Sequence, residues 1–197
     1  MSATQHAQQI KQDSKQYLTT ALFQLLATKD LNDIKVTALV KRAGVSRMAF
    51  YRNFDTLEDV ILQYFGPKIQ SLFNDVILQV PEKQKLGDMT EFFQTLSTEL
   101  KLAVDRRYEY LIRRLFNENM VRYYDQHQVW KQLSADERHY WVAFMSAGVY
   151  AIWREWLLND QSEPLSKIHV LIRKFQNATI DALIEWWGVE KIYLIIF

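Results

Sequence analysis

The chain has 197 residues, of which 49% are hydrophobic and 24% are charged, a balance typical of a soluble protein with a substantial core. It contains no cysteine, which excludes disulfides, thiolate metal sites and cysteine nucleophiles. The net charge of +1 is unevenly distributed, because residues 1–54 carry eight Lys or Arg against three Asp, a balance of +5, and the remainder balances at −4.

The distribution of charged and apolar residues narrows the class of protein. A basic N-terminal third attached to an acidic remainder is typical of a DNA-binding head joined to a different domain. No apolar run approaches the roughly 18 residues needed to cross a bilayer, and the first thirty residues lack the apolar region of a secretory signal. We therefore expect a cytoplasmic protein without a membrane partner.

The periodicity of apolar residues predicts helices along almost the whole chain. Five Gly and three Pro supply little turn material for a β-rich fold, and the sequence lacks strand-like alternation. The first helix is predicted over residues 4–28, and a polar turn at 30–33 separates it from Ile34, which enters the core. The apolar stripe of this helix comprises Tyr17, Leu18, Ala21, Leu22, Leu25 and Leu26.

Residues 36–54 predict two short helices joined by a tight turn, the helix-turn-helix arrangement. Gly44 ends the first helix, because glycine adopts a positive φ without steric cost. Ser46 caps the second helix, since its hydroxyl can accept a hydrogen bond from a backbone N–H at the helix start. Phe50 and Phe54 are predicted to lie in the core.

A fourth helix follows, and either Asp55 or Thr56 is its predicted N-cap. Glu58 lies three residues after Asp55, which is the spacing of a capping box. Gly66 and Pro67 predict a kink or break in this helix, because proline removes a backbone donor and its ring clashes with the preceding turn.

The rest of the chain is predicted to form further helices separated by polar turns. Ser134 can cap one long helix, and Pro164 can occupy the first turn of the next. The predicted segments are a helix at 68–80, a linker at 81–88, a helix at 90–104, helix at 108–130 in one piece or in two divided at 117–119, a helix from Ser134 through Leu158, and a last helix through Trp187.

Three motifs in the N-terminal region occur in a fixed order. They are the turn AGVS at positions 43–46, the aromatic residues Phe50, Tyr51 and Phe54, and the acidic pair Glu58 and Asp59. With this order, residues 18–65 resemble the DNA-binding domain of the TetR family of bacterial transcriptional regulators. The remainder resembles that family in ending with two long helices and in the glycine and Trp-Leu of residues 146–160.

The resemblance implies a fold class and a domain organisation. It implies an all-α protein with an N-terminal three-helix helix-turn-helix DNA-binding domain over residues 1–54, followed by a bridging fourth helix at 55–65. A larger helical domain for effector binding and dimerisation is implied over residues 66–197. The implied function is that of a ligand-responsive repressor that binds double-stranded operator DNA as a homodimer and needs no cofactor.

Seven residues are candidates for DNA contact, and the chemistry of their side chains divides the roles. Arg47 can pair with guanine in the major groove, and Met48 can pack against a thymine methyl. Tyr51, Arg52 and Lys41 are predicted to contact phosphates, which positions a protein without specifying sequence. The full set comprises Lys41, Ser46, Arg47, Met48, Ala49, Tyr51 and Arg52.

Three sites depart from the family pattern near these candidates. Met48 and Ala49 stand where the family often has a small residue followed by threonine. Leu57 occupies a position where lysine is common, and Lys35 occupies one where a serine or threonine cap is usual. We therefore expect weaker or differently distributed contacts to the DNA backbone.

The aromatic-rich C-terminal part allows two interpretations. Its apolar side chains are candidates for lining a cavity that binds a small apolar or aromatic effector. The alternative is ordinary packing in the core and dimer interface, which explains each residue taken alone. The candidate pocket residues are Met120, Tyr123, Tyr124, Trp130, Trp141, Phe144 and Met145.

A dimer interface is predicted on the last two long helices. Gly148 in mid-helix costs roughly 1 kcal/mol relative to alanine, and small residues around it would let a second helix approach closely. The apolar tail, residues 192–197, is expected to pack on its own body or on the partner subunit. The interface candidates are Ala147, Gly148, Ala151, Phe175, Ile180 and Leu183.

The remaining charged and titratable residues give no catalytic pattern. The four histidines, at 6, 127, 139 and 169, lack metal-ligand spacing, and the sequence has no P-loop, Gly-rich dinucleotide fingerprint or nucleophile elbow. The arginines at 106, 107, 113 and 114 are interpreted as helix-face charges paired with nearby acidic residues rather than as an anion site. We therefore expect a protein that is not an enzyme.

Two rival functions stay open. The departures at Met48, Ala49 and Leu57 leave room for a TetR-like binding module that acts through a protein partner, for example as a coactivator. The other rival is an α-helical small-molecule-binding protein or enzyme with an accidental helical corner. Affinity for DNA separates the repressor from both rivals.

Overall fold

The structure, a computed structural model, describes residues 3–77, 82–126 and 133–185. Within these ranges the chain is all-α, as predicted, with no strand, a short 3-10 helix at Leu31–Asp33 and a π-helix at Leu72–Ile77. None of these helices is both long enough and apolar enough to span a bilayer. The α-helices are α1 (Ala3–Leu26), α2 (Val36–Ala43), α3 (Arg47–Asn53), α4 (Leu57–Ser71), α5 (Glu82–Asp105), α6 (Glu109–Gln126), α7 (Ala135–Leu158) and α8 (Leu165–Glu185).

The chain divides into two compact units. The first unit comprises Met1–Lys68 and Thr98–Ile112, and the second unit comprises Ile69–Ser97 and Arg113–Phe197. The turn between α5 and α6 therefore belongs to the same unit as the helix-turn-helix. No pattern in the sequence indicates this membership.

The first unit is built on α1, which packs against α2 and α3. Leu18, Leu22 and Leu26 are fully buried, as their helical spacing predicts. Tyr17 is exposed, so its predicted place in the apolar stripe is wrong. It precedes Leu18 by one residue, about 100° of rotation around the helix axis, which turns its side chain away from the core.

The fourth helix, α4, begins at Leu57 with Thr56 as its cap residue. The Thr56 hydroxyl accepts a hydrogen bond from the Asp59 N–H at 3.1 Å, and the Asp59 carboxylate accepts one from the Thr56 N–H at 2.8 Å. The same carboxylate accepts from the Asp55 N–H at 3.0 Å. The capping-box prediction of Glu58 is therefore wrong, because the helix begins one residue later than a box built on Asp55 requires.

Of the two alternatives predicted at Gly66 and Pro67, the break is absent, since α4 continues through Pro67 to Ser71, and the kink stays a prediction. Proline removes only the one helical hydrogen bond that its own N–H would donate. Gly66, the preceding residue, has no Cβ to clash with the proline ring, so the usual steric reason for a helix to end there is missing.

The linker predicted at 81–88 is wrong for residues 82–88, which form the first two turns of α5. The sequence EKQKL from position 82 consists of strong helix formers, and this local propensity favours a helix over an open linker. Pro81 lies outside the described residues.

An aromatic cluster forms the core of the second unit. The Trp153 ring of α7 packs edge-to-face against Phe116 and Phe93, with ring centroids 4.9 and 5.3 Å apart respectively. Phe116 also meets Phe73 at 5.4 Å. These rings come from α5, α6, α7 and the π-helix, so the cluster joins elements that are far apart in the chain.

The two long final helices that the sequence predicts, α7 and α8, pack against each other. The Ser134 hydroxyl accepts from the Glu137 N–H at 3.3 Å, and the Glu137 carboxylate accepts from the Ser134 N–H at 2.9 Å, which completes a capping box. α7 ends at Leu158 as predicted, and α6 runs through 117–119 in one piece. Residues 127–130 and Trp187, also predicted as helical, lie outside the described residues.

Candidate nucleic-acid interface

The turn between α2 and α3 has the geometry that its sequence predicts. Gly44 has φ 67° and ψ 27°, the left-handed conformation that ends α2. The Gly44 N–H donates to the Lys41 carbonyl at 3.4 Å, and the Val45 N–H donates to the Val40 carbonyl at 3.1 Å. Lys35 is the N-cap residue of α2 and makes no side-chain cap hydrogen bond, in keeping with its departure from the serine or threonine pattern.

The position of α3 is fixed by its cap and by its buried side. Ser46 Oγ accepts a hydrogen bond from the Ala49 N–H at 3.0 Å, which confirms the predicted cap. Phe50 is fully buried, and its ring centroid lies 6.0 Å from that of Phe54. At the helix end, Asn53 Nδ2 donates to the Ala49 carbonyl at 2.7 Å. The side of α3 opposite Phe50 is therefore the side that α3 presents to solvent.

Four of the predicted DNA-contact residues lie on this outer side. Met48 is 75% exposed and Tyr51 is 49% exposed, and Arg47 and Arg52 are exposed as well. The structure thus brings two guanidinium groups, a phenol and a thioether together on one short helix. Such a surface can donate hydrogen bonds to phosphates and to guanine, and it offers an apolar tip to a thymine methyl.

The other three candidates have different surroundings. The Ser46 hydroxyl is engaged in the cap of α3, and Ala49 is half-buried behind it. Lys41 is exposed in the last turn of α2. Its neighbour Arg42 donates from Nε to Gln24 Oε1 at 2.8 Å, a bond that joins α2 to α1. Lys41 is therefore a solvent-exposed cation in the turn that precedes Gly44.

Lys15 of α1 is a further cation beside α3 that the sequence did not single out. Its Nζ donates to Gln63 Oε1 at 2.9 Å and lies 5.9 Å from the centroid of the Phe54 ring. Gln63 Nε2 donates to the Asn53 carbonyl at 3.4 Å. Lys15 precedes Leu18 by about one helical turn, and this register is the one signal that could have placed it near the core of the unit. It adds positive potential at the C-terminal end of α3.

A cluster of polar groups joins α4 to residues 98–112 within the first unit. The Tyr64 hydroxyl donates to Glu99 Oε1 at 3.1 Å, and the Lys68 Nζ lies 3.4 Å from the centroid of the Tyr64 ring. Burial, the Glu99 charge and this hydrogen bond raise the pKa of Tyr64 to about 12. Burial lowers the pKa of Lys68, and the Glu99 carboxylate opposes that change. The Tyr108 hydroxyl donates to the Glu99 carbonyl at 3.3 Å, so Glu99 of α5 accepts hydrogen bonds from both Tyr64 and Tyr108.

The turn between α5 and α6 is attached to the turn that follows α1. Arg106 Nη2 donates to the Ala27 carbonyl at 2.9 Å, and the Leu31 N–H donates to the Arg106 carbonyl at 3.3 Å. Arg107 Nε lies 3.3 Å from an Asp30 carboxylate oxygen. The fold therefore pairs Arg106 and Arg107 with Asp30 of another turn, a partner that the sequence-based interpretation did not name.

The predicted effector residues are mostly packed together inside the second unit. Tyr124 and Trp141 are buried with ring centroids 5.0 Å apart, and Gln176 Nε2 donates to the Tyr124 hydroxyl at 2.6 Å. Trp141 Nε1 donates to Thr179 Oγ1 at 3.1 Å. Burial raises the pKa of the Tyr124 hydroxyl, which keeps it neutral and able to hydrogen-bond. The other candidates buried in this unit are Met120, Tyr123 and Met145.

Two effector candidates do not join this group. Phe144 is 63% exposed on α7, so it cannot line a cavity enclosed by the buried rings of its own protomer. Trp130 lies outside the described residues. In contrast, Gln176 and Thr179 of α8 bond to this group and were missed; Gln176 is buried and Thr179 is half-buried. A glutamine and a threonine in an apolar helical stripe were the available signal, since buried polar side chains need specific partners.

The predicted dimer residues lie on α7 and α8 with unequal exposure. Ala147, Ala151 and Phe175 are exposed, and a Cβ built on Gly148 would meet no atom within 4 Å. Leu183 is half-buried, whereas Ile180 is only 1% exposed and is therefore buried within its own chain. An open groove of about 580 Å³ runs between the two helices beside Ala151, lined also by Trp156, Lys167, Leu171 and Lys174.

No metal site is present in the part of the chain that the structure describes, where no group of three His, Asp or Glu side chains comes together.

Arg114 Nε lies 3.5 Å from a Glu118 carboxylate oxygen one helical turn away, which is the helix-face pairing predicted for it. Arg114 and Glu118 therefore form an ordinary ion pair on a solvent-exposed helix surface.

The fold is similar to that of one solved structure described as the dihydroxyacetone kinase operon activator DhaS. The match covers 86% of this chain and 97% of that chain, with a TM-score of 0.52 and 17% sequence identity. At that identity the likeness shows the fold alone. No protein-family model matches the sequence, and no curated protein matches it. The helical architecture of this chain is thus one that a solved protein shares along almost its whole length.

Proposed function

We propose that this chain is a TetR-like transcriptional regulator that binds double-stranded operator DNA through α3. The observation that carries the proposal is the arrangement of α3, which exposes Arg47, Met48, Tyr51 and Arg52 together while Phe50 buries the opposite side. A short helix with this composition is suited to a major groove, where cations meet guanine and phosphates. Similarity of fold to a protein described as an operon activator supports a regulatory role.

The side chains divide between base contact and backbone contact. Arg47 pairs with a guanine edge and Met48 packs against a thymine methyl. Lys41, Tyr51 and Arg52 contact phosphates and set the register of the helix in the groove. In this proposal residues 1–54 bind DNA, residues 55–65 bridge, and residues 66–197 bind an effector and dimerise, in the cytoplasm.

The functional form that we propose is a homodimer built through α7 and α8. Exposure of Ala147, Ala151 and Phe175, and the open space at Gly148, support a surface that a second copy can cover. In a symmetric dimer the two copies of α3 contact half-sites that lie about 34–36 Å, or a multiple of that distance, apart. Two-fold symmetry of the protein then requires a palindromic operator.

Ligand control completes the proposed mechanism of repression. The hydrogen-bonded pair of Tyr124 and Gln176 among aromatic rings supports a site for a small apolar or aromatic effector, because few polar groups in an apolar setting orient such a ligand. A ligand that binds one conformation of the body more tightly shifts the population towards it. Release from the operator follows when the favoured conformation changes the separation of the two α3 helices.

The test of DNA binding is fluorescence anisotropy of the full chain with duplexes from upstream of its own gene, across a series of salt concentrations. We expect specific binding whose affinity falls with salt, because phosphate contacts release counterions. Arg47→Ala should weaken binding to the cognate duplex by about 1–3 kcal/mol, whereas Arg113→Ala, an exposed arginine of the second unit, should change it little. Absence of specific, salt-dependent binding would refute the proposal.

Activation is the second candidate function, and the similarity of fold to a protein described as an operon activator favours it. The two functions predict opposite signs in a reporter assay, since loss of a repressor raises expression of the target and loss of an activator lowers it. Failure of the purified chain to bind DNA alone, together with specific recovery of a DNA-bound protein partner, would favour a coactivator.

A further inference from the structure

The contact between Arg47 and Tyr51 gives Tyr51 a role beyond the phosphate contact assigned to it. The two residues lie one helical turn apart on the exposed side of α3. Arg47 Cζ lies 5.7 Å from the centroid of the Tyr51 ring, and Arg47 Nη2 lies 3.5 Å from the Tyr51 hydroxyl oxygen. The guanidinium therefore sits over the ring within the distance at which a cation and an aromatic face attract each other.

The Tyr51 ring is itself supported from the core. Its centroid lies 5.1 Å from that of Phe50, and the two rings meet edge-to-face at 83°. Phe50 is fully buried and also contacts Phe54. Tyr51 thus links a ring packed in the core to a long, exposed arginine side chain.

We propose that Tyr51 is a positioning residue for sequence recognition, because its ring orients the Arg47 guanidinium towards the base edge. This inference rests on the proposed function, in which Arg47 contacts a base. Ordering a flexible side chain on binding lowers affinity, and a guanidinium that is already stacked loses less freedom. Pairing with guanine needs a planar fork in one orientation, whereas attraction to a phosphate does not. Stacking of Arg47 on Tyr51 should therefore strengthen binding to cognate DNA more than binding to other sequences.

The two parts of the Tyr51 side chain give separable predictions. Tyr51→Phe removes the hydroxyl and keeps the ring, so we expect weaker binding to every duplex and an unchanged ratio of cognate to non-cognate affinity. Tyr51→Ala removes the ring as well. We expect the same general loss together with a further fall of about two- to fivefold in that ratio, the factor that corresponds to an exposed cation–π contact.

The experiment uses the full chain and two duplexes, one selected from a random library by the wild-type protein and one with the same bases shuffled. Anisotropy at one salt concentration gives both dissociation constants for each variant, and thermal unfolding by circular dichroism checks that each variant folds. Arg52→Ala is the matched control, since loss of an exposed phosphate contact should weaken both duplexes equally. In an Arg47→Ala background, Tyr51→Ala should no longer alter the ratio.

The outcomes separate this inference from the function on which it rests. A ratio for Tyr51→Ala equal to that of the wild type overturns the positioning role and leaves DNA binding intact. A ratio for Tyr51→Phe that falls as far as that of Tyr51→Ala also overturns it, because the hydroxyl would then carry the effect. A wild-type protein that selects no sequence overturns the proposed function, and the inference falls with it.

Discussion

The first unit presents its charged groups on its surface, whereas the second unit encloses polar groups among aromatic rings. In the first unit α3 exposes Arg47 and Arg52 above the buried ring of Phe50. In the second unit Tyr124 and Gln176 bond to each other at 2.6 Å, and both are fully buried. Exposed cations suit a long polyanion, and a buried polar pair suits a small ligand. The difference supports the proposed division between DNA contact and effector contact.

The chain carries probes that report the two units separately. All six tryptophans fall at or after position 130, and the three that the structure describes, Trp141, Trp153 and Trp156, lie in the second unit. Tryptophan fluorescence therefore follows the second unit, while far-UV circular dichroism follows the helices of both. A substitution can therefore be made in one unit at a time, and its effect on that unit can be followed with the matching probe.

The largest effect should come from Phe50→Ala in the first unit. Loss of a fully buried aromatic ring leaves a cavity, and we expect the free energy of unfolding to fall by about 3–5 kcal/mol. Urea unfolding followed by circular dichroism measures it. Met48→Ala, at an exposed position of the same helix, should stay within about 0.5 kcal/mol of the wild type. An equal shift of the tryptophan transition would show that the two units unfold together and would break the comparison.

The second-largest effect should come from Tyr124→Phe, which removes the hydrogen bond between Tyr124 and Gln176. The substitution removes the hydroxyl that accepts from Gln176 Nε2 and leaves a buried amide donor without that acceptor. We expect a loss of about 1–3 kcal/mol in the tryptophan transition. Tyr140→Phe is the matched control, because Tyr140 is exposed on α7. Equal results for the two tyrosines would mean that the buried pair contributes nothing to stability.

Features of this chain that have local causes could be predicted from its sequence. The left-handed Gly44 and the caps at Ser46 and Ser134 depend on atoms within a few residues, and all three have the predicted geometry. The exposed side of α3 follows from the burial of Phe50 at helical spacing. The candidate interface could therefore be located before any tertiary contact was known.

Features with distant causes could not be predicted in this way. Gln176 bonds to a residue 52 positions earlier, and Arg107 pairs with Asp30 of another turn. A glutamine in an apolar stripe indicates a buried partner without identifying it, and neither spacing nor composition pairs Arg107 with Asp30. The helix through Pro67 illustrates the opposite limit, because a strong local rule predicted a break that α4 does not show.

A smaller loss of stability should follow when a helix-capping serine is replaced in either unit. Ser46→Ala and Ser134→Ala each remove a serine hydroxyl that caps a helix, and each should cost about 1 kcal/mol. The first should appear in circular dichroism and the second in the tryptophan transition. Only Ser46→Ala should also weaken DNA binding, because it loosens the start of α3. Weaker DNA binding by Ser134→Ala to the same degree would contradict the separation of roles.

The smallest effect is a dependence of stability on alkaline pH through Tyr64. Burial and the Glu99 carboxylate raise the pKa of Tyr64 from 10.0 to about 12. The folded state therefore holds the phenolic proton more tightly than the unfolded chain does. This contribution is complete below pH 10 and is lost as pH rises from about 10 to about 12. We expect unfolding followed by circular dichroism to show that loss, and Tyr64→Phe to reduce it.

Two titratable groups near Tyr64, Tyr108 and Lys68, determine how far Tyr64→Phe should change the dependence of stability on pH. Tyr108 adds to the alkaline loss because burial raises its pKa as well, so Tyr64→Phe should reduce the slope without abolishing it. Lys68 acts in the opposite direction, since burial lowers its pKa and its deprotonation relieves a cost in the folded state. Tyr17→Phe, at an exposed position of α1, is the control that should leave the slope unchanged. The contrary outcome is that Tyr64→Phe also leaves the slope unchanged while the tryptophan transition shifts with pH. The loss of stability at alkaline pH would then come from the buried tyrosines of the second unit rather than from Tyr64.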